Sequence, residues 1–290
     1  MAAIEAVARR AWRGALTLEL EATPRGTVVA RRRHEGPFCI QRPFLPGDGA
    51  CHVYLLHPPG GLAGGDELVL DARAGAGAAA LLTTPAATKF YRCDGERSVQ
   101  VQTLQVAAGA SLEWLPQDTI LFGGSRALLT TRVELAPGAR FIGWEQLSLG
   151  RPLSGDRYAA GSLEQHTRIA LDGEPLLLES LRFKAGDRLL AAACGLRSLG
   201  VCGALYAYPA NDPLLVRVRS CIGAAAPSPT RSAPQARALQ CGATLLGELL
   251  AVRCLAAEPE ALRNLFEALW REIRRDVVGL APSAPRIWRT

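Results

Sequence analysis

The sequence predicts a mainly β protein whose strands coil into a two-layer, β-solenoid-like stack, with a few helices that include an amphipathic one near the C-terminus. Three observations predict it. The first 185 residues alternate apolar and polar side chains in run after run, which is the period of half-buried strands. No amphipathic helical period interrupts those runs, which argues against βαβ units. Gly-Ala pairs also return at Gly77, Gly109 and Gly138, each between two strand-like segments, in LDARAGAGAAALL (70–82), LQVAAGASLEWL (104–115) and VELAPGARFIGW (133–144). A strand–turn–strand unit that recurs every 32 and then 29 residues is the mark of layers laid one on another. IALDGEPLLLE, with its turn at Gly173, reads as a weaker fourth copy.

The elements follow in chain order. Alternation predicts strands over 16–23, 27–32, 51–56, 67–73, 98–106 and 128–135, separated by glycine or proline clusters. Between the third and fourth lies HPPGGLAGGD (57–66). Its prolines favour an extended approach, and its glycines at 60, 61, 64 and 65 allow two reversals in one short loop that ends on Asp66. The segment 189–210 is apolar but carries Arg197 and three glycines, so it reads as buried core rather than a bilayer span. APSPTRSAPQAR (226–237) reads as a mobile loop. Beyond it Leu262, Leu265, Phe266, Leu269, Ile273 and Val277 recur at helical spacing, Glu267 and Arg271 form an i,i+4 pair, and Gly279 marks the stop.

Composition excludes several classes of function. Only Lys89 and Lys184 among 33 basic residues are lysines, so the net charge of +6 reflects a general use of arginine. The run Arg31–Arg33 lacks interleaved aromatics and reads as a solvated strand end, not a nucleic-acid site. Eight cysteines form no CxxC, and the N-terminus lacks the apolar core of a secretory signal. Free thiols in the cytoplasm are expected, and no membrane association. There is no P-loop, no GxSxG elbow and no HExxH, and four histidines are too few for a histidine-rich metal centre within one chain. The chain reads as a protein without catalytic activity.

What chemistry there is sits in four segments. HPPGGLAGGD presents Asp66. LLTTPAATKFYR (81–92) holds Thr84, Lys89, Tyr91 and Arg92. LEWLPQDTILFGGSR (112–126) places Asp118 near a Pro-Gln break. FIGWEQLSLGR (141–151) sets Glu145 in an apolar strand, where an inward carboxylate is costly unless paired, hydrated or holding a cation. In that order, and with the ending VRCLAAEPEALRNLFEALWREIRR followed by PRIW (285–288), these segments resemble the urease accessory protein family UreD, called UreH in some organisms. The resemblance runs from about residue 10 to the end and departs at Pro85, where a polar residue such as glutamine is expected.

The resemblance implies one domain over 1–290, with a β body over about 10–255 and a C-terminal helix over about 258–278. It implies a urease maturation factor, a scaffold that with UreF and the GTPase UreG delivers nickel to apo-urease, with no tightly bound cofactor and only transient Ni²⁺. It also implies dimerisation through the UreF–UreG complex. A metal in transit needs weak, exchangeable oxygen ligands rather than a cage of thiolates or imidazoles. On that reasoning Asp66, Glu145 and Glu179 are expected along an internal polar path, with Thr84 as a neutral oxygen nearby. The helix around Leu265, Leu269 and Trp270, together with the loop 226–237, is expected to face UreF. The alternative is a ligand-binding β-solenoid with no link to urease, whose exposed aromatic ladders the 6% aromatic content does not supply.

Overall fold

A computed structural model describes residues 11–225 and 239–289. Two sheets face each other. The first holds β1 (Arg13–Thr23), β2 (Gly26–Glu35), β6 (Glu67–Ala74), β9 (Ser98–Val106), β12 (Arg126–Leu135), β14 (Ser162–Leu171) and β15 (Glu174–Lys184), in the order β15-β14-β12-β9-β6-β1-β2. The second runs β17-β18-β16-β13-β10-β7-β4-β3. Its strands are β3 (Cys39–Ile40), β4 (Cys51–Leu56), β7 (Ala79–Thr83), β10 (Ser111–Trp114), β13 (Arg140–Leu149), β16 (Val201–Tyr208), β17 (Leu239–Leu246) and β18 (Leu249–Ala256). Short strands β5 (Gly61–Leu62), β8 (Thr88–Phe90) and β11 (Thr119–Leu121) extend it.

The chain climbs by alternating between the sheets, and successive turns of the coil pair in parallel: β1 with β6, β6 with β9, β9 with β12, β12 with β14, and opposite them β4 with β7, β7 with β10, β10 with β13. The three predicted Gly-Ala corners join one sheet to the other. In each a backbone N–H closes a four-residue turn, Ala78 to Gly75, Ala110 to Ala107 and Ala139 to Ala136. The glycine takes the third position with φ of +70°, +69° and +77°, a region closed to most side chains. The fourth copy is different. Asp172 and Gly173 both have positive φ, and the turn joins β14 to β15 antiparallel within one sheet. It is a tight hairpin rather than a corner, because two consecutive left-handed residues reverse the chain with the twist of a strand pair.

Leu18, Leu20, Leu70, Leu104, Leu112, Val133 and their neighbours fill the space between the sheets. The outer face of the second sheet carries a second core, roofed by α2 (Asp212–Ala225) and α3 (Pro259–Val278); a one-turn helix, α1 (Arg188–Ala191), precedes β16. The predicted C-terminal helix therefore stands one residue from its expected start and ends as expected on Gly279, at φ +77°. The segment 189–210 supplies α1 and β16, whose Val201, Leu205 and Ala207 are buried. Among the described residues no helix is long and apolar enough to cross a membrane. All eight cysteines are free thiols.

Candidate functional site

HPPGGLAGGD forms a corner with two reversals, His57 to Gly60 and Ala63 to Asp66, each closed by a backbone hydrogen bond. Gly60 and Gly65 take φ of +73° and +82°. Asp66 is fully buried at its end. Its carboxylate accepts N–H bonds from Ala63 (2.8 Å) and Trp12 (3.3 Å), so it ties the corner to the start of β1. His57 lies across the corner with its ring against Trp12 (4.9 Å between centroids). Burial lowers the pKa of this imidazole and the Asp66 charge works against that fall. Lys89 sits on the outside of the same corner, its Nζ close to the open face of Gly60.

Two cavities lie along the seam between the sheets. The first, about 80 Å³, is bordered by His57, Thr84, Gln100, Trp114, Glu145 and Gln165, and Pro85 also lines it. The second, about 190 Å³, is bordered by Glu145, Gln165, Glu179, Cys202, Tyr206 and Arg253. Glu145, Leu147 and Gln165 belong to both walls, so the two spaces adjoin at Glu145. The alternation of β13 turns Glu145 inward, where its carboxylate meets only neutral donors from the facing sheet. These are the Thr131 hydroxyl, the Gln165 amide (2.8 Å) and the Thr167 hydroxyl (3.3 Å). Burial raises its pKa, these three bonds oppose the rise, and the charge of Glu179 adds to it. Glu179, across the second cavity, is paired: Arg253 donates to both its oxygens (2.8 and 3.0 Å) and the Tyr206 hydroxyl donates as well (2.9 Å). Burial pushes the Cys202 thiol up to about 12, and a bond with Cys241 together with burial raises that of Cys254, so both sulfurs that line the second cavity stay protonated and are poor ligands. The Thr84 hydroxyl accepts the Gln117 N–H (2.9 Å) on the wall of the first cavity.

The structure thus brings Glu145, Glu179 and Thr84 onto the walls of two adjoining cavities, Glu145 on both. Asp66 stands apart from both cavity walls and serves the corner backbone. Three residues of the first cavity's wall each carry a buried polar atom without a hydrogen-bond partner: His57 Nε2, Gln100 Oε1 and Trp114 Nε1. Trp114 lies in the segment 112–126 that the sequence marks, whereas Gln100 carries no signal by type or spacing. Among the described residues no three His, Cys, Asp or Glu side chains converge as a closed metal cage.

A second buried polar cluster was invisible to sequence reasoning. Arg274 on α3 is fully buried and donates to Glu113 of β10 (2.8 to 3.1 Å) and to Asp48 (2.8 Å). Trp270 donates to Glu113 (2.6 Å), and His52 pairs with Asp48 (3.0 Å). Burial alone raises the pKa of Asp48, but the bonds from His52 and Arg274 outweigh it and bring it to about 2. The same packing corrects the expectation for α3. Leu265, Leu269 and Trp270 are 2%, 0% and 0% exposed and hold the helix to the second sheet, so they offer no face to a partner. Trp270 turns inward with its ring N–H on Glu113. The loop 226–237 proposed beside them lies outside the described residues.

Comparison of the sequence with known proteins matches the chain to a family. The model of the UreD urease accessory protein family matches residues 13–289. The chain is 48% identical over 280 residues to the urease accessory protein UreD of Alkalilimnicola ehrlichii, covering 96% of this chain and 92% of that one. It is 42% identical over 271 residues to the UreD of Pseudomonas entomophila (91% and 89% covered). It is 38% identical over 282 residues to the UreD of Klebsiella aerogenes (97% and 98% covered).

Proposed function

The chain belongs to the UreD family of urease accessory proteins, and from that premise we propose that it is a scaffold, not an enzyme, that works with UreF and the GTPase UreG to carry nickel into apo-urease through the seam between its sheets. A role in urease maturation follows from the family and displaces the reading as a ligand-binding solenoid. The observation that carries the finer reading is the placing of Glu145. Its carboxylate is shared by two adjoining cavities and held by neutral donors alone. A buried carboxylate without a counter-cation is costly, and a passing divalent ion relieves that cost. Its ligands would be oxygens that exchange quickly, and the protonated Cys202 thiol does not trap it.

On this reading Glu179 is the next oxygen along the seam, reached when its bond with Arg253 opens, and Thr84 is part of the wall on the other side. Asp66 keeps the corner in shape. Nucleotide hydrolysis belongs to the GTPase partner, which agrees with the lack of a P-loop in this chain. The test is co-expression of urease with UreF, UreG and either this protein or its Glu145→Gln variant, followed by measuring nickel per urease active site. Retained co-purification with UreF together with a nickel content lower by roughly tenfold supports the path. Unchanged nickel content would sink it.

A further inference from the structure

The first cavity asks for an occupant. His57 Nε2, Gln100 Oε1 and Trp114 Nε1 all belong to its wall, are buried, and have no hydrogen-bond partner. Leaving a buried polar atom unpaired costs about 1–3 kcal/mol, so three on one small cavity are a built feature rather than noise. Their chemistry is informative. Gln100 Oε1 is an acceptor, and His57 Nε2 is one whenever the ring proton sits on Nδ1. Only the Trp114 N–H donates. A cavity with two lone pairs, one N–H and the Glu145 carboxylate at its far wall suits a partly hydrated cation whose waters bridge the remaining groups. It suits an anion poorly.

We propose that His57 is the nickel-selecting ligand of the path, its Nε2 taking the hydrated ion in the first cavity beside Gln100 Oε1 before the ion moves to Glu145. This rests on the nickel-carrying function proposed above. The other groups of the path offer oxygen, and oxygen ligands alone suit Mg²⁺ and Mn²⁺ as well as they suit nickel. A single imidazole shifts the preference toward Ni²⁺ without closing a cage that would retain it. The corner loop then has a purpose beyond turning the chain. Asp66 locks its backbone, the ring of Trp12 backs the imidazole, and His57 is held on the cavity wall.

The experiment loads apo-urease with the purified accessory complex and Ni²⁺, with and without a large excess of Mg²⁺, and counts both metals on the product by mass spectrometry. Equilibrium dialysis of ⁶³Ni²⁺ against the complex gives a readout independent of urease. The wild type is expected to load nickel equally well in both media. His57→Gln, which keeps a polar side chain of similar reach, is expected to load within about threefold of wild type in Ni²⁺ alone and to lose roughly tenfold under excess Mg²⁺. Gln100→Leu, on β9 and away from the corner loop, is expected to lose a smaller factor in the same direction and decides the matter if His57→Gln fails to co-purify with UreF. Equal loading by His57→Gln in both media overturns the proposal, as does an equal loss in both. Glu145→Gln separates the two readings. If it loads like wild type the path itself is wrong, whereas if it fails while His57→Gln discriminates normally, only the role of His57 is wrong.

Discussion

Two buried polar regions lie within one molecule and are built on opposite rules. Beneath α3, Arg274, Glu113, Asp48, His52 and Trp270 close on one another, and both oxygens of each carboxylate are met by donors. Between the sheets, Glu145 has no cation, and His57, Gln100 and Trp114 have atoms with no partner. The first region is a clamp that fixes a helix to a sheet. The second is left incomplete, at a cost in stability that a passing ion and its waters would offset on the proposed path. Two glutamates in nearly identical apolar strands, LEWL and GWEQL, thus have unrelated roles because of what faces them.

The sharpest way to break this comparison is to open the clamp. Arg274→Met leaves Glu113 buried without a cation and Asp48 with His52 alone, and is expected to cost about 3–5 kcal/mol in chemical denaturation. A loss under about 1 kcal/mol would mean that water reaches the cluster. Glu145→Gln is the converse case: nickel loading falls by roughly tenfold, yet the thermal midpoint at pH 8 stays level or rises, since a buried uncompensated charge is removed. If it melts as early as Arg274→Met, the seam is a structural cluster like the first.

Two buried aspartates should also respond to pH with opposite sign. Asp48, held at about 2 against 3.8 in the unfolded chain, adds stability above pH 4 that is lost as pH falls toward 2. Asp118, which accepts from Ser148 (2.6 Å) and lies near Cys202 and Arg263, is pushed by burial up to about 7. The folded chain then keeps a proton that the unfolded chain has released, so stability falls as pH rises from about 4 to about 7 and levels off above. Asp118→Asn should flatten that slope in urea midpoints taken from pH 5 to 8. The smallest effect is expected at the edge of the seam. Arg253→Ala breaks a half-exposed pair with Glu179 and should change stability by less than about 1 kcal/mol, while raising nickel exchange measured by dialysis. No change in exchange would place Glu179 off the path.

Much of the frame was legible because it is local. A glycine that needs positive φ every thirty residues, or an apolar face at helical spacing, shows in a window of a dozen positions. The coil and α3 were read from such windows. The fourth Gly copy misled because a corner and a hairpin share the same residues and differ only in where the next strand pairs. α2 was missed because Leu214, Leu215 and Val218 make a narrow stripe on a short helix that contains Gly223 and runs into a Pro-Ser stretch. The candidate site divides the same way. Glu145 announced itself as a carboxylate in an apolar strand. That Arg274 would claim Glu113, 161 residues away, and leave Glu145 to threonines and a glutamine, depends on tertiary pairing that no local pattern encodes.

The hairpins at the two ends of the seven-stranded sheet have a consequence for how the protein behaves in a crowded solution. Parallel layers repeat the same edge, so a stack of them is a template for its own continuation and, unchecked, for a fibre. Here neither end repeats. β2 and β15 fold back antiparallel, each pairing carries a bulge, and the exposed strands present Arg31, Arg32 and Arg33 at one end and Pro175 at the other. A second copy arriving at either end meets charge repulsion or a missing N–H. The coil is thereby finite by construction, and the arginine run is the solvated edge of its outermost strand, where like charge opposes pairing with a second copy.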